Sequence, residues 1–116
     1  MNYHYCDAVL EERTQMRGGN GTVKLLQILP KEGLPKHVRL MSEITLDANC
    51  SIGPHVHENE CEVFYLLSGE GRYLDDKEWK DCSKGDVLTC GYGEQHSIEN
   101  PNAEPLVLLA VIVTDN

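Results

Sequence analysis

Short runs in which apolar and polar residues alternate dominate the chain. The clearest run extends from Val38 to Leu46 and places Val38, Leu40, Ile44 and Leu46 on one face, because successive side chains of a strand point to opposite faces. Further extended segments are predicted at 22–29, 62–67, 72–74, 78–80, 87–89 and 97–99. Clusters of Gly, Pro, Asn and Asp separate them. Many short strands without long helical periods predict an all-β barrel or sandwich.

Two segments do not follow this alternation. Leu106 to Val113 is an eight-residue apolar run, which predicts a strand buried on both faces. Residues 6–17 contain Ala8, Leu10 and Met16 and are compatible with a short helix. The Gly-rich stretch 18–21 that follows is a strong turn signal. The chain is therefore predicted to begin with a short N-terminal helix or a strand extension.

Composition narrows the class of protein. The 116 residues suffice for one domain with its own core, and the chain is 41% hydrophobic and 25% charged. A net charge of −9 argues against a nucleic-acid partner, because phosphates require a basic surface. The same charge argues against docking on an anionic membrane. Neither a nucleic acid nor a membrane is therefore an expected partner.

The distribution of cysteines and apolar residues predicts a compartment. No apolar run approaches the length of a membrane span, and the first thirty residues lack the apolar stretch of a secretion signal. The five cysteines cannot all pair within one chain and form no Cys-x-x-Cys motif. We therefore expect a cytoplasmic protein with free thiols.

Three of the five histidines stand in a pattern with a glutamate. His55 and His57 are two residues apart, so on an extended chain both imidazoles point the same way. Glu62 follows at the start of a predicted strand, and His96 lies much later in the chain. Imidazoles with one carboxylate suit a divalent transition metal. Taken alone, a His-x-His pair also fits two exposed loop histidines, so spacing by itself leaves both interpretations open.

The residues around these histidines resemble the two signature motifs of the cupin superfamily. The first motif spans 49–69 and the second spans 85–100. The positions that correspond to the fixed positions of the motifs are Asn49, His55, His57, Glu62 and Gly69, then Gly85, Gly91, Gly93, His96 and Asn100, and eight of these ten are kept. Two positions depart from the pattern: Asn49 replaces a Gly and Gly91 replaces a Pro. Asn tolerates the left-handed backbone of a turn, and neither change removes a metal-ligand position.

The resemblance implies a cupin double-stranded β-helix, which is a jelly-roll barrel. Residues 1–35 would form an N-terminal extension with the first strands, and residues 36–116 would form the cupin barrel of a single domain. The resemblance also implies a divalent transition metal (Fe, Mn, Ni, Zn or Cu) held by His55, His57, Glu62 and His96. Many small cupins are dimers, so a homodimer is expected.

Four further residues are predicted to line a substrate pocket. Phe64 and Leu66 share the face of Glu62, and Ile98 shares the face of His96, by strand alternation. Tyr92 lies in the loop before His96 and is placed at the mouth of the cavity. The alternatives are core filling for the three apolar residues and an exposed structural role for Tyr92.

The resemblance favours a metal-dependent enzyme of the oxygenase or isomerase type acting on a small organic molecule. Its alternative is a non-catalytic cupin module that binds or senses a small molecule. A purely structural or storage role is disfavoured because all four ligand positions are intact. The sequence contains no separate acid–base pair, so catalytic residues are not predicted.

Overall fold

Ten β-strands account for most of residues 1–115, the part of the chain that the computed structural model describes. They are β1 (Val9–Thr14), β2 (Thr22–Gln27), β3 (Val38–Leu46), β4 (Ser51–Val56), β5 (Glu60–Ser68), β6 (Glu70–Asp75), β7 (Glu78–Ser83), β8 (Val87–Cys90), β9 (Gln95–Glu99) and β10 (Leu106–Thr114). Short 3-10 turns occur at Tyr5–Asp7, Met16–Gly18 and Lys31–Gly33. Within residues 1–115, no helix has the length and apolarity needed to cross a membrane.

The strands form two antiparallel sheets. The first sheet has six strands in the order β1-β2-β3-β10-β5-β8, and the second has four in the order β4-β9-β6-β7. Consecutive strands alternate between the sheets along much of the chain, as in a jelly roll. The predicted all-β jelly-roll architecture is confirmed.

The hydrophobic core lies between the sheets and is built by strand alternation. On β3, Ile44 and Leu46 are buried while their neighbours on the other face are only half-buried. Val23 and Leu25 of β2 are fully buried in the same core. β2 therefore contributes to the core of the barrel.

The N-terminal segment forms a strand, so the helix considered for residues 6–17 is wrong. Val9–Thr14 pairs with Thr22–Gln27 across the turn, from Val9 opposite Gln27 to Thr14 opposite Thr22. A helix of about twelve residues is marginal without tertiary packing. Pairing with β2 satisfies the backbone of this segment instead, which is a strand extension of the first sheet.

β10 is not buried on both faces, contrary to the prediction from its apolar run. Leu106, Leu108, Ala110 and Ile112 are buried, whereas the residues between them are half-buried. β10 is central in the first sheet, with β3 and β5 on either side. Its backbone is therefore fully paired, but only its inner face packs against the second sheet. The apolar outer face forms part of a surface considered below.

Tight turns connect the sheets at the positions that the sequence indicates. Gly69 joins β5 of the first sheet to β6 of the second with φ 88°, and a Cβ there would collide with the Pro105 carbonyl. Asn49 adopts φ 65° in the turn after β3, as expected for Asn replacing Gly. The buried Asn100 amide donates to the Leu46 and Glu104 carbonyls at 2.9 and 2.8 Å, and so connects the end of β3 with the segment before β10.

Candidate metal centre

A β-bulge in β4 aims the first histidine into the barrel. Ile52 lies opposite Ile98 and His55 opposite His96, so three steps on β4 match two steps on β9. In a regular strand, residues three apart would face opposite sides. The extra residue resets the alternation, so that both Ile52 and His55 face the interior. His57 follows directly after β4 and is buried.

The four side chains converge from both sheets. His55 and His96 are cross-strand partners in the second sheet, and Glu62 comes from β5 in the first sheet. The His57 Nε2 atom lies 2.9 Å from Glu62 Oε1 and 2.9 Å from His96 Nε2. His96 Nε2 lies 3.0 Å from both His55 Nε2 and Glu62 Oε1. One potential ligand atom from each residue thus lies within 4.8 Å of the others.

Each imidazole has a partner for its other nitrogen. His55 Nδ1 lies 2.8 Å from the Gly53 carbonyl, which can only accept, so this nitrogen donates. His57 Nδ1 lies 2.9 Å from Glu60 Oε1, another acceptor. Both rings therefore direct an Nε2 lone pair into the cluster when they are neutral.

Tyr73 fixes the tautomer of the third ring. Its hydroxyl donates to the Thr89 carbonyl at 3.3 Å and lies 3.1 Å from His96 Nδ1. Because its proton is directed to Thr89, the hydroxyl oxygen accepts from His96 Nδ1. The His96 Nε2 lone pair then also points into the cluster. Hydrogen-bond acceptors at the three Nδ1 atoms thus orient all three rings as metal ligands require.

The donor set fits a divalent transition metal. When the three rings are neutral, three Nε2 lone pairs and a carboxylate oxygen face one another, and four of the six atom pairs lie 2.9–3.0 Å apart. Adjacent ligands of an octahedral ion with bonds of about 2.1 Å are separated by about 3.0 Å. A cation would relieve the repulsion among these atoms. The cluster of His55, His57, Glu62 and His96 could therefore hold a metal.

The electrostatics of the cluster favour the metal-binding forms of two groups. Burial alone would raise the pKa of Glu62, but hydrogen bonds and positive charge from His57 and His96 in their protonated forms outweigh it and lower that pKa to about 2. Burial lowers the pKa of His55 to about 4, although its hydrogen bond to Gly53 opposes this. Glu62 is therefore charged and His55 neutral near neutral pH, as metal ligation requires.

His57 has a pKa shifted in the opposite direction. Its hydrogen bond with Glu62 is the main cause of a raised pKa, and the bond with Glu60 adds to it while burial opposes both. The negative charge that attracts a proton to His57 also attracts a metal cation. A proton on His57 would satisfy Glu62 but would leave the lone pairs of His55 and His96 facing each other.

The open side of the cluster lies at His55. His57, Glu62 and His96 are only 2%, 6% and 1% exposed, whereas His55 is half-buried. A ligand that reaches the cluster from solvent would therefore approach past His55.

Comparison with known proteins shows the family. The sequence model of the cupin domain matches residues 42–112, more than half of the chain. This chain belongs to the cupin family. The oxalate-binding protein of Thermotoga maritima is 40% identical over 103 residues, covering 89% of this cupin and 85% of the relative.

Solved structures agree with this assignment. A Thermotoga maritima protein described as a predicted oxalate decarboxylase is 37% identical and superposes with a TM-score of 0.92, covering 98% of this cupin and 99% of that chain. The polyketide cyclase RemF of Streptomyces resistomycificus is only 18% identical, with a TM-score of 0.79 and coverage of 100% and 80%. RemF therefore supports the fold alone.

The predicted pocket residues lie in three different environments. Phe64 is buried and stacks on the His96 ring, with centroids 5.1 Å apart and planes at 18°. Leu66 and Ile98 are 1% and 0% exposed and belong to the hydrophobic core of this cupin. Tyr92 is 54% exposed. Their role in lining a substrate pocket stays a prediction.

Sequence reasoning missed the residues that contact and orient the proposed ligands. Arg39 of β3 forms two bonds of 2.8 Å with Glu60, which contacts His57 Nδ1. The separation of two between Glu60 and Glu62 was a usable signal, because it places both on one face of β5. Tyr73 lies on another strand of the other sheet, and no local pattern connects it with His96. His4 and His37 are exposed, as expected of surface residues.

Proposed function

We propose that this cupin is a metal-dependent binding protein for a small dicarboxylate of the oxalate type. His55, His57, Glu62 and His96 would hold a divalent transition metal from the predicted set of Fe, Mn, Ni, Zn and Cu. The observation that carries the proposal is the convergence of three oriented Nε2 lone pairs and one carboxylate oxygen. A metal bound there would supply positive charge and, if six-coordinate, two positions for a chelating ligand.

The relatives support the ligand class. The Thermotoga maritima relative that is 40% identical is named an oxalate-binding protein. The solved structure that is 37% identical is described as that of a predicted oxalate decarboxylase. A dicarboxylate suits the site because four protein ligands leave two positions of an octahedral metal for its two oxygens. Phe64 would favour a small ligand, because its ring packs against the His96 ring.

Binding is favoured over turnover by the groups that surround the cluster. Apart from the four proposed ligands themselves, the titratable groups among residues 1–115 in hydrogen-bond contact with the ligand rings are Glu60 and Tyr73. Glu60 is also bound by Arg39, which is the main cause of its lowered pKa. Burial raises the pKa of Tyr73. Both groups are thus engaged in orienting ligands, and neither is poised to exchange a proton with a substrate near neutral pH.

Decarboxylation of oxalate is the second candidate, because the 37% identical structure is described as a predicted oxalate decarboxylase. Loss of carbon dioxide with uptake of one proton would leave formate. The oxygenase and isomerase activities predicted from the sequence remain predictions.

The test compares metal-loaded and metal-stripped protein. Untagged protein should contain close to one equivalent of metal by mass spectrometry, and calorimetry should detect oxalate only with the loaded form. Less than a tenth of an equivalent after incubation with each candidate metal would overturn the proposal. Formate release would establish decarboxylation, and oxygen consumption with a substrate panel would favour an oxygenase.

The expected homodimer would use the outer face of the first sheet. Leu109 of β10 is half-buried there and lies beside Tyr65 of β5, which is 45% exposed; nearby Leu67 is 37% exposed. Burying such an apolar face against a second copy would favour association. Sedimentation should give the mass of two chains, and Leu109→Asp should give one. An unchanged mass in the variant would refute this interface.

Two further assignments rest on the sequence. The division into a 1–35 extension and a 36–116 barrel is kept as a proposal for this chain. Cytoplasmic localisation is also proposed, supported by five cysteines that are all free thiols.

A further inference from the structure

The loop of residues 91–94, which joins β8 to β9, lies against the residue that follows β4. Gly93 N donates to the His57 carbonyl at 2.8 Å, and His57 N donates to the Glu94 carbonyl at 3.3 Å. Both backbone polar groups of His57 are therefore bonded to this loop. Because His57 lies just beyond the pairing of β4 with β9, the loop fixes the backbone from which its imidazole projects.

The exposed side chain of Glu94 closes this loop. Gly91 N donates to Glu94 Oε1 at 2.6 Å, and Glu94 N donates to the Gly91 carbonyl at 3.2 Å. A hydrogen bond to a carboxylate is stronger than one between neutral groups. The Glu94 carbonyl accepts from His57 N and also from the buried Cys90 thiol, whose Sγ lies 3.3 Å away. Glu94 thus connects the turn of the loop with the backbone of His57.

Gly91 and Glu94 depend on each other. The cupin motif has Pro at the position of Gly91, and Pro has no backbone N–H to donate. Gly93 has φ 77°, which favours glycine, but Gly91 does not adopt this left-handed backbone. A Cβ on Gly91 would instead lie 2.8 Å from Glu94 Oε1, closer than a carbon approaches an oxygen. The Glu94 carboxylate therefore requires glycine at position 91.

We propose that Glu94 is a positioning residue for His57, and that its bond to Gly91 replaces the proline of the cupin motif in fixing the loop. The expected effect on metal affinity rests on the proposed function. Pro restricts a loop through its ring, whereas here a hydrogen bond to a carboxylate restricts it. His57 Nε2 lies 2.9 Å from both Glu62 Oε1 and His96 Nε2. A displaced loop would therefore misplace one of the four proposed ligands.

Substitutions of Glu94 separate its position from its charge. Competition with a chelator would measure the Mn²⁺ dissociation constant of the full chain. We expect Glu94→Ala to weaken Mn²⁺ binding about fivefold, because the hydrogen bond from Gly91 N is lost. Glu94→Gln should stay within about twofold of the wild type, since its amide oxygen still accepts that bond. The exposed Glu58, next to His57, gives the charge control Glu58→Ala, with an expected change of under about twofold.

Substitutions of Gly91 test whether the bond replaces the proline. Gly91→Pro removes the donor and places a Cβ against the Glu94 carboxylate, so Mn²⁺ affinity should fall by about fivefold or more. Gly91→Pro combined with Glu94→Ala has the ring without the carboxylate, and it should bind Mn²⁺ within about twofold of the wild type. A double variant no tighter than Glu94→Ala would refute the replacement.

Amide hydrogen exchange in the metal-free protein measures the loop without relying on the proposed function. Exchange at the His57 and Gly93 amides, followed by NMR, should be about tenfold faster in Glu94→Ala than in the wild type. Glu94→Gln and the double variant should restore the slow exchange. Should Glu94→Ala fold poorly, Gly91→Ala breaks the same bond by displacing the carboxylate and should accelerate exchange likewise.

The outcomes distinguish a failure of this role of Glu94 from a failure of the proposed function. Unchanged exchange in folded Glu94→Ala would overturn the positioning role and leave the metal site standing. Equal losses of affinity in Glu94→Ala and Glu94→Gln would assign the effect to charge and would also overturn it. If the wild type binds no Mn²⁺ while exchange changes as expected, the proposed function fails and the positioning of His57 by Glu94 stands.

Discussion

Two regions of the barrel interior are equally buried but need different partners. Leu66 in the hydrophobic core is 1% exposed, and His96 in the metal cluster is 1% exposed. Leu66 needs only close apolar neighbours, because removal from water is favourable in itself. His96 lies 2.9–3.1 Å from His57 and the Tyr73 hydroxyl, and as a buried polar ring it requires oriented hydrogen-bond partners. Burial in the core stabilises the fold, whereas burial in the cluster builds a binding site.

Truncation in the core should give the largest loss of stability. Leu108 is fully buried on β10, so Leu108→Ala should lower the free energy of unfolding by about 2–5 kcal/mol. The loss should be the same with and without metal, as measured by urea titration in EDTA and in excess metal. Val87→Ala at a 60% exposed position is the control, with an expected change of under about 1 kcal/mol. A loss of similar size at both positions would contradict the distinction between core and surface.

Removal of a proposed ligand should abolish metal-linked stability. In the wild type, metal at a hundred times its dissociation constant should raise the free energy of unfolding by about 2.7 kcal/mol. His57→Ala removes one lone pair and a partner of Glu62, so this increment should vanish. The exposed His37 gives the control variant His37→Ala, which should keep the full increment. Metal-dependent stabilisation that persists in His57→Ala would refute its assignment as a ligand.

Removal of the Tyr73 hydroxyl should have an intermediate effect. Tyr73→Phe leaves His96 Nδ1 without its acceptor, so the ring can carry its proton on Nε2 and lose the inward lone pair. Metal affinity should fall about tenfold, which is about 1.4 kcal/mol. Competition with a chromogenic chelator would measure it, with Tyr92→Phe at an exposed tyrosine as the control. Equal affinity in Tyr73→Phe and wild type would show that Tyr73 does not set the tautomer.

Substitution in the turn after β3 should have the smallest effect. Asn49 has φ 65°, so Asn49→Gly should change the free energy of unfolding by under about 0.5 kcal/mol. Asn49→Ala should lower it by about 1 kcal/mol, since a Cβ disfavours the left-handed region. Thermal unfolding should show the same difference with and without metal. A metal-dependent difference would mean that the turn and the cluster are coupled.

Local alternation in the sequence predicted most of the strands, and the motifs predicted the four residues that converge in the cluster. Alternation placed Val38–Leu46 correctly, and the His-x-His spacing put His55 and His57 together on the inner side. Resemblance to the cupin motifs added Glu62 and His96 to the predicted site. Local spacing alone did not assign them to it. Strand alternation and motif spacing can both be recognised without knowing how the strands pair.

The tertiary structure decided whatever depends on contacts between distant segments. Pairing with β2 made residues 9–14 a strand, and packing on one face alone left β10 half-exposed. Tyr73 meets His96 and Arg39 meets Glu60 only because the two sheets bring different strands together. Strand alternation states which face a side chain occupies, but not which residue of another strand lies opposite it. The orientation of the proposed ligands therefore follows from the fold.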